Sequence, residues 1–118
     1  MHFPDLFRHE ENPLHVKAGN TIIEEGAESN KMYVILEGSV EIWHNGKALM
    51  SETEGDIFGE LSLVDHELAS ASVVATSDTK LAAIDEKRFQ FLVQQHPYFA
   101  ISVMQKMSDR IRKMNELA

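Results

Sequence analysis

No cysteine occurs anywhere in the 118 residues, which excludes disulfides, thiolate zinc sites and cysteine nucleophiles in one step. No apolar run approaches the roughly 20 residues that span a bilayer. The start, MHFPDLFRHEENPLHV, also lacks the basic end and uninterrupted apolar stretch of a signal peptide. These absences set the expectation of a soluble, cytoplasmic protein with no membrane contact. Lysine and arginine are missing from the whole stretch between Lys47 and Lys80, where Glu52, Glu54, Asp56, Glu60, Asp65, Glu67 and Asp78 lie. Residues 1–85 carry 16 acids against 5 bases, a net of −11, and residues 86–118 carry 3 against 6, a net of +3. An acidic body repels nucleic acid, so direct nucleic-acid binding is not expected. The basic cluster KMSDRIRKMN near the end reads as the solvated face of a helix.

Catalytic patterns are missing too. The histidines at positions 2, 9, 15, 44, 66 and 96 form no H-x-H or H-E-x-x-H pair, and no G-x-S-x-G elbow is present. No catalytic residue, metal ligand or cofactor is expected, and a cupin-like metalloenzyme, also a β-barrel, stands last among the functional readings.

What is present is a set of short strands followed by helices. NTIIEEGA holds a β-branched run closed by Gly26, and KMYVILEGSVEIWHNGKALMSE holds two apolar runs, Met32–Leu36 and Val40–Trp43, parted by Glu37–Gly38. Asn45–Gly46 supplies the two positive-φ positions of a type I′ hairpin. SASVVAT and TKLAAID are further strands around the turn Ser77–Asp78. Glycines at 19, 26, 38, 46, 55 and 59 punctuate this half, the spacing of a barrel or sandwich.

After Asp85 the period changes. DEKRFQFLVQQH reads as a helix with Asp85 as N-cap, and Pro97 fits the first turn of a second. Along that second helix Ala100, Met104, Met107, Ile111 and Met114 recur at steps of 4, 3, 4 and 3, an apolar seam over two heptads. The seam packs either against its own barrel or against the same helix of a second copy. In a monomer one side of this helix would pack internally, and a second line, such as Phe99 and Val103, would serve elsewhere.

FGELSLVDHELASASVVA, residues 58–75, carries the ligand chemistry. Gly59 lets the backbone turn sharply or approach a ligand closely. Glu60–Leu61–Ser62–Leu63 follows as a short helix whose first N–H groups lack partners and suit phosphate oxygens. Glu60 is an acceptor for ligand hydroxyls such as those of a ribose, and Ser70 and Ser72 are further donors.

The run G-D-x-F-G-E-L-S-L at Gly55–Leu63 and S-A-S-V-V-A at Ser70–Ala75, preceded by the glycine-marked strands of residues 18–43, resembles the phosphate-binding cassette of cyclic nucleotide-binding domains. That family includes the catabolite activator protein, protein kinase A regulatory subunits and cyclic-nucleotide-gated channels. The resemblance implies a mainly β fold, an eight-stranded β-roll of jelly-roll type flanked by helices. Cyclic AMP or cyclic GMP would be held between the cassette and a long C-terminal helix. At 118 residues one domain is expected over residues 1–118, with the roll at about 14–85, helices at about 86–117 and no room for a helix-turn-helix module. The ligand contacts that the resemblance assigns fall on Gly59, Glu60, Leu61, Ser62, Ala69, Ser70, Ala71 and Ser72. Ala69 occupies the place of the arginine that pairs with the cyclic phosphate, and Leu68 the place of a common proline. A charge-assisted hydrogen bond is worth roughly 1.5–3 kcal/mol, so its loss predicts binding weakened about ten- to a hundredfold or more. The function expected is a non-enzymatic, ligand-sensing regulatory domain with weak or altered cyclic nucleotide binding. Its partner is a second copy joined through the C-terminal helix or another protein. The alternative is a ligand-free dimerisation or interaction module.

Overall fold

The computed structural model describes residues 3–117 and, within them, the side chains of residues 5–116. Met1, His2 and Ala118 lie outside the described residues. A short helix, α1 (Phe3–Leu6), leads into strands β1 (Leu14–Val16), β2 (Thr21–Ile23), β3 (Lys31–Glu37), β4 (Ser39–His44), β5 (Lys47–Thr53) and β6 (Ile57–Phe58). Helix α2 (Glu60–Asp65) interrupts the strands before β7 (Ser72–Ala75) and β8 (Thr79–Asp85), and helices α3 (Glu86–Gln95) and α4 (Pro97–Leu117) follow. The strands form two antiparallel four-stranded sheets, ordered β1-β8-β3-β6 and β2-β7-β4-β5. This is the β-roll with flanking helices that the sequence led us to expect.

The continuous apolar run of β3 follows from its place. Met32 and Val34 face the helices, in a cluster with Ile57, Ala82, Ile84, Leu92, Phe99 and Val103, while Ile35 turns into the roll with Val40, Ile42, Phe58, Val73 and Leu81. A strand covered on both faces has no polar alternation to show. The hairpin between β4 and β5 turns at Asn45 and Gly46, both with positive φ, 51° and 76°. Chain direction splits β3 from β4 although only Gly38 lies between them. Gly38 has φ 96°, and a Cβ there would stand 2.6 Å from the Asp78 carbonyl oxygen, so only glycine admits that corner.

Asp85 has two duties. It is the last residue of β8, paired in register with Lys31, and it caps α3 by accepting the Arg88 backbone N–H at 2.8 Å. Arg88 in turn ties the N-terminal segment down, donating to Glu10 at 2.9 and 3.2 Å and to the Ala83 carbonyl while its guanidinium covers the Phe7 ring. Phe7 and Phe89 meet Phe99 edge-on, so the start of α4 is held in an aromatic cluster.

The seam on α4 differs from the reading that packs it against its own barrel. Met104 is 54% exposed, Ile111 62% and Met114 39%, Ala100 is half-buried and only Met107 packs partly against the core. The inward face is the other line, Phe99 and Val103, continued by Lys106 and Arg110 at steps of 4, 3 and 4. The physical reason is the acidic surface under the far half of the helix, which takes cations in preference to methionines.

Candidate functional site

The cassette begins at a backbone constraint. Gly59 has φ 82°, and a Cβ there would stand 2.9 Å from the Lys31 carbonyl oxygen and 3.0 Å from Ile23 Cδ1. Both the conformation and the closeness of β3 require glycine. The residue is also the N-cap of α2, where no side chain caps the first N–H groups. At the other end, His66 adopts φ 61° and closes the helix through its N–H to the Ser62 carbonyl, and the Asp65 carboxylate accepts the Glu67 N–H at 2.9 Å. The chain then returns to the roll at Ala69, which exchanges backbone hydrogen bonds with Gly26 and Ala27, both at 2.9 Å.

This path encloses an open cavity of about 440 Å³ between roll and α4. Gly59, Glu60, Leu61, Ser62, Ala69, Ser70 and Ala71 line it, together with Ile42, His44, Met50 and Phe58 from the roll and Met107, Arg110, Ile111 and Met114 from α4. Ser72 is not among the lining residues. Its hydroxyl accepts the Glu25 backbone N–H at 2.9 Å instead. Ala100 and Met104 lie away from the cavity as well, whereas the other three seam residues reach it.

Glu60 is 2% exposed, and a buried carboxylate needs a partner. Arg110 provides it, donating through Nη1 to Glu60 Oε1 and through Nη2 to the Ile57 carbonyl, with Glu52 Oε1 3.6 Å from its Nε. One turn earlier, Lys106 bridges Asp56 at 2.7 Å and Glu52 at 2.9 Å. The second oxygen of Glu60 is buried and has no hydrogen-bond partner among the described residues.

Protonation in this network is uneven. Burial first, then the hydrogen bond to Asp56, holds Glu52 above the ordinary carboxylate range despite Lys106 and Arg110. Burial pushes Asp56 upward too, but hydrogen bonds from Glu52, Lys106 and the Thr53 N–H outweigh it and leave Asp56 below its usual value. Lys106 is lowered by burial and raised further by its two carboxylates, ending above the ordinary lysine value. The ammonium therefore stays charged, and α4 stays tethered to the β5–β6 corner.

The basic cluster of α4 is thus only partly a solvated face. Arg112 and Lys113 are exposed, but Lys106 and Arg110 turn to the roll, and sequence reasoning missed both. The signal was available: they continue the Phe99–Val103 stripe at helical spacing. His66, on the cassette loop, sits 3.8 Å from Glu86 and lines a different groove, and Lys31 pairs with Asp85 at the end of β3. Neither reaches the cavity.

A model of the cyclic nucleotide-binding domain matches residues 13–96. The chain belongs to the cyclic nucleotide-binding domain family. A cAMP-dependent protein kinase regulatory subunit of Schizosaccharomyces pombe is 37% identical over 78 residues, 65% of this chain and 19% of that protein. Among solved structures, the catabolite activator protein of Thermus thermophilus aligns with TM-score 0.80 at 27% identity, covering 88% of this chain and 51% of that one. The regulatory subunit of a cAMP-independent protein kinase A from Trypanosoma brucei aligns with TM-score 0.71 at 28% identity, covering 83% of this chain and 35% of that one. The chain thus spans about a fifth of the length of its curated regulatory-subunit relative and half of the activator's. It is a cyclic nucleotide-binding regulatory domain by family, and no helix among the described residues is long and apolar enough to cross a membrane.

Proposed function

We propose that this cyclic nucleotide-binding domain is a non-enzymatic sensor whose cassette binds cyclic AMP or cyclic GMP weakly, or accepts a ligand with less negative charge. One observation carries the reading. Ala69, which we read as standing at the cassette's arginine position, is 7% exposed in the wall of the cavity, and the guanidinium that does reach the cassette, Arg110, is already engaged by Glu60, Glu52 and the Ile57 carbonyl. Backbone N–H groups of Gly59 and α2 remain for an anion, and the unpaired oxygen of Glu60, buried here, would meet a hydroxyl once a ligand opens a path to it. The description of one structural relative as cAMP-independent is consistent with such a cassette.

In this reading the ligand acts on α4, which supplies Met107, Arg110, Ile111 and Met114 to the same cavity. A ligand shifts the helix only by preferring one of its positions. The site of action is the cytoplasm, and the acidic body argues against nucleic acid as a partner.

Calorimetric titration with cyclic AMP and cyclic GMP tests the reading. Ala69→Arg should tighten binding about ten- to a hundredfold, the value of one restored charge-assisted contact. Micromolar binding by the unaltered chain, or no gain in the variant, would overturn it. The exposed seam of Met104, Ile111 and Met114 supports a second reading, a dimerisation module joined through α4 with no ligand.

A further inference from the structure

The cavity has a second basic wall besides Arg110. His44 closes β4 on the same side as Val40 and Ile42, by the two-residue period of a strand, and its ring lines the cavity. Nδ1 lies 3.0 Å from the Ser70 carbonyl oxygen and 3.2 Å from Glu25 Oε2. Two acceptors at one ring nitrogen place a proton there. Nε2 lies 3.2 Å from the Asn45 side-chain nitrogen. An amide N–H at Nε2 suits the neutral ring, and a turned amide presenting its oxygen suits the protonated ring.

We propose that His44 is a specificity residue of the cassette, a group whose protonation beside Ser70 cancels the Glu25 charge at the cavity mouth, so that anionic ligands bind more tightly as pH falls. The inference rests on the reading of this cassette as a cyclic nucleotide site. Its geometry is local: the ring touches the carbonyl of the residue that follows Ala69. The charged groups around it are few. Glu25, from the loop after β2, faces Nδ1, Lys47 stands opposite in the hairpin register, and Glu60 and Arg110, across the cavity, are tied to each other. A neutral ring leaves the His44–Glu25 pair with one negative charge at the cavity mouth, and a protonated ring cancels it. Imidazole is the side chain whose charge changes between about pH 5 and 8, while a cyclic phosphodiester stays ionised over that range. One unit of charge near a ligand in a half-open cavity corresponds to about a three- to tenfold change in affinity.

The test is calorimetry of the 118-residue chain with cyclic AMP at about pH 6 and about pH 8. The unaltered chain should bind about three- to tenfold tighter at the lower pH. His44→Gln, at a position whose side chain is 46% exposed and tolerant of exchange, should bind weakly and equally at both. His44→Lys, permanently charged, should bind equally at both and at least as tightly as the unaltered chain at low pH, and His66→Gln should keep the original slope. A flat profile in the unaltered chain, or an unchanged slope in His44→Gln, overturns the role of His44 while Ala69→Arg still binds. Failure of Ala69→Arg to bind at either pH removes the cyclic nucleotide reading itself, and the inference falls with it.

Discussion

The two faces of α4 do different work. The inner face begins with Phe99, fully buried, and Val103, then changes to Lys106 and Arg110, which reach acids of the β5–β6 corner and the cassette. The outer face shows Met104 and the exposed cation Arg112 to solvent, while Ile111, also exposed, borders the cavity. The helix is therefore fastened by apolar packing at its start and by ion pairs farther along. Those two kinds of attachment respond differently to a ligand. Packing is insensitive to charge, whereas the ion pair of Arg110 and Glu60 is made by two residues that line the cavity.

Substitutions on the two faces sharpen that contrast. Phe99→Ala should destabilise the domain by about 3–5 kcal/mol, because it empties the ring that Phe7 and Phe89 both contact. Chemical denaturation would register this as a fall in midpoint, and a loss below about 1 kcal/mol would mean that α4 is not anchored there. Arg110→Ala comes next, at about 3 kcal/mol. It strands the Glu60 carboxylate without its cation, and the value sits at the lower end of the range for broken buried pairs because 16% of the arginine side chain is in solvent. Arg112→Ala, two residues along and on the exposed face, should change little, and equal effects at 110 and 112 would erase the distinction. The smallest change in stability belongs to the outer face: Met104→Ser with Ile111→Ser should shift the folded chain by less than about 0.5 kcal/mol per site. Sedimentation of the same double variant separates the two functional readings, since a dimer joined by the seam should dissociate and a monomeric sensor should sediment as before.

How much of this was legible in the sequence depended on how far apart the interacting residues lie. Asn45–Gly46 announced its hairpin because both positive φ angles are local properties of two residues. Gly59 and Glu60 announced the cassette by their order with the serines that follow. The two-residue strand β6 left no periodic signal at all, since its pairing with Tyr33 and Val34 is decided by the partner strand. Arg110 was missed for the same reason on a larger scale, its carboxylate lying 50 positions away. The methionine seam left two coverings open because apolar spacing reports a face and not what covers it. Ser72 misled because a hydroxyl next to a ligand loop can equally serve the backbone, as it does for Glu25. His44 was passed over although Val40, Ile42 and His44 share strand parity, which is a pattern readable without coordinates.

Asp85 has a consequence for motion. Because one residue both ends β8 and starts α3, that helix has no slack along its axis and moves only with the sheet. The backbone next leaves helical geometry at His96, with φ −137° and ψ 78°, just before Pro97. Beyond it α4 runs 21 residues, a lever of about 30 Å. A tilt of about 10° at that point displaces the far tip by about 5 Å on a rod of that length, so a small adjustment beside the cassette becomes a large excursion at the end of the chain.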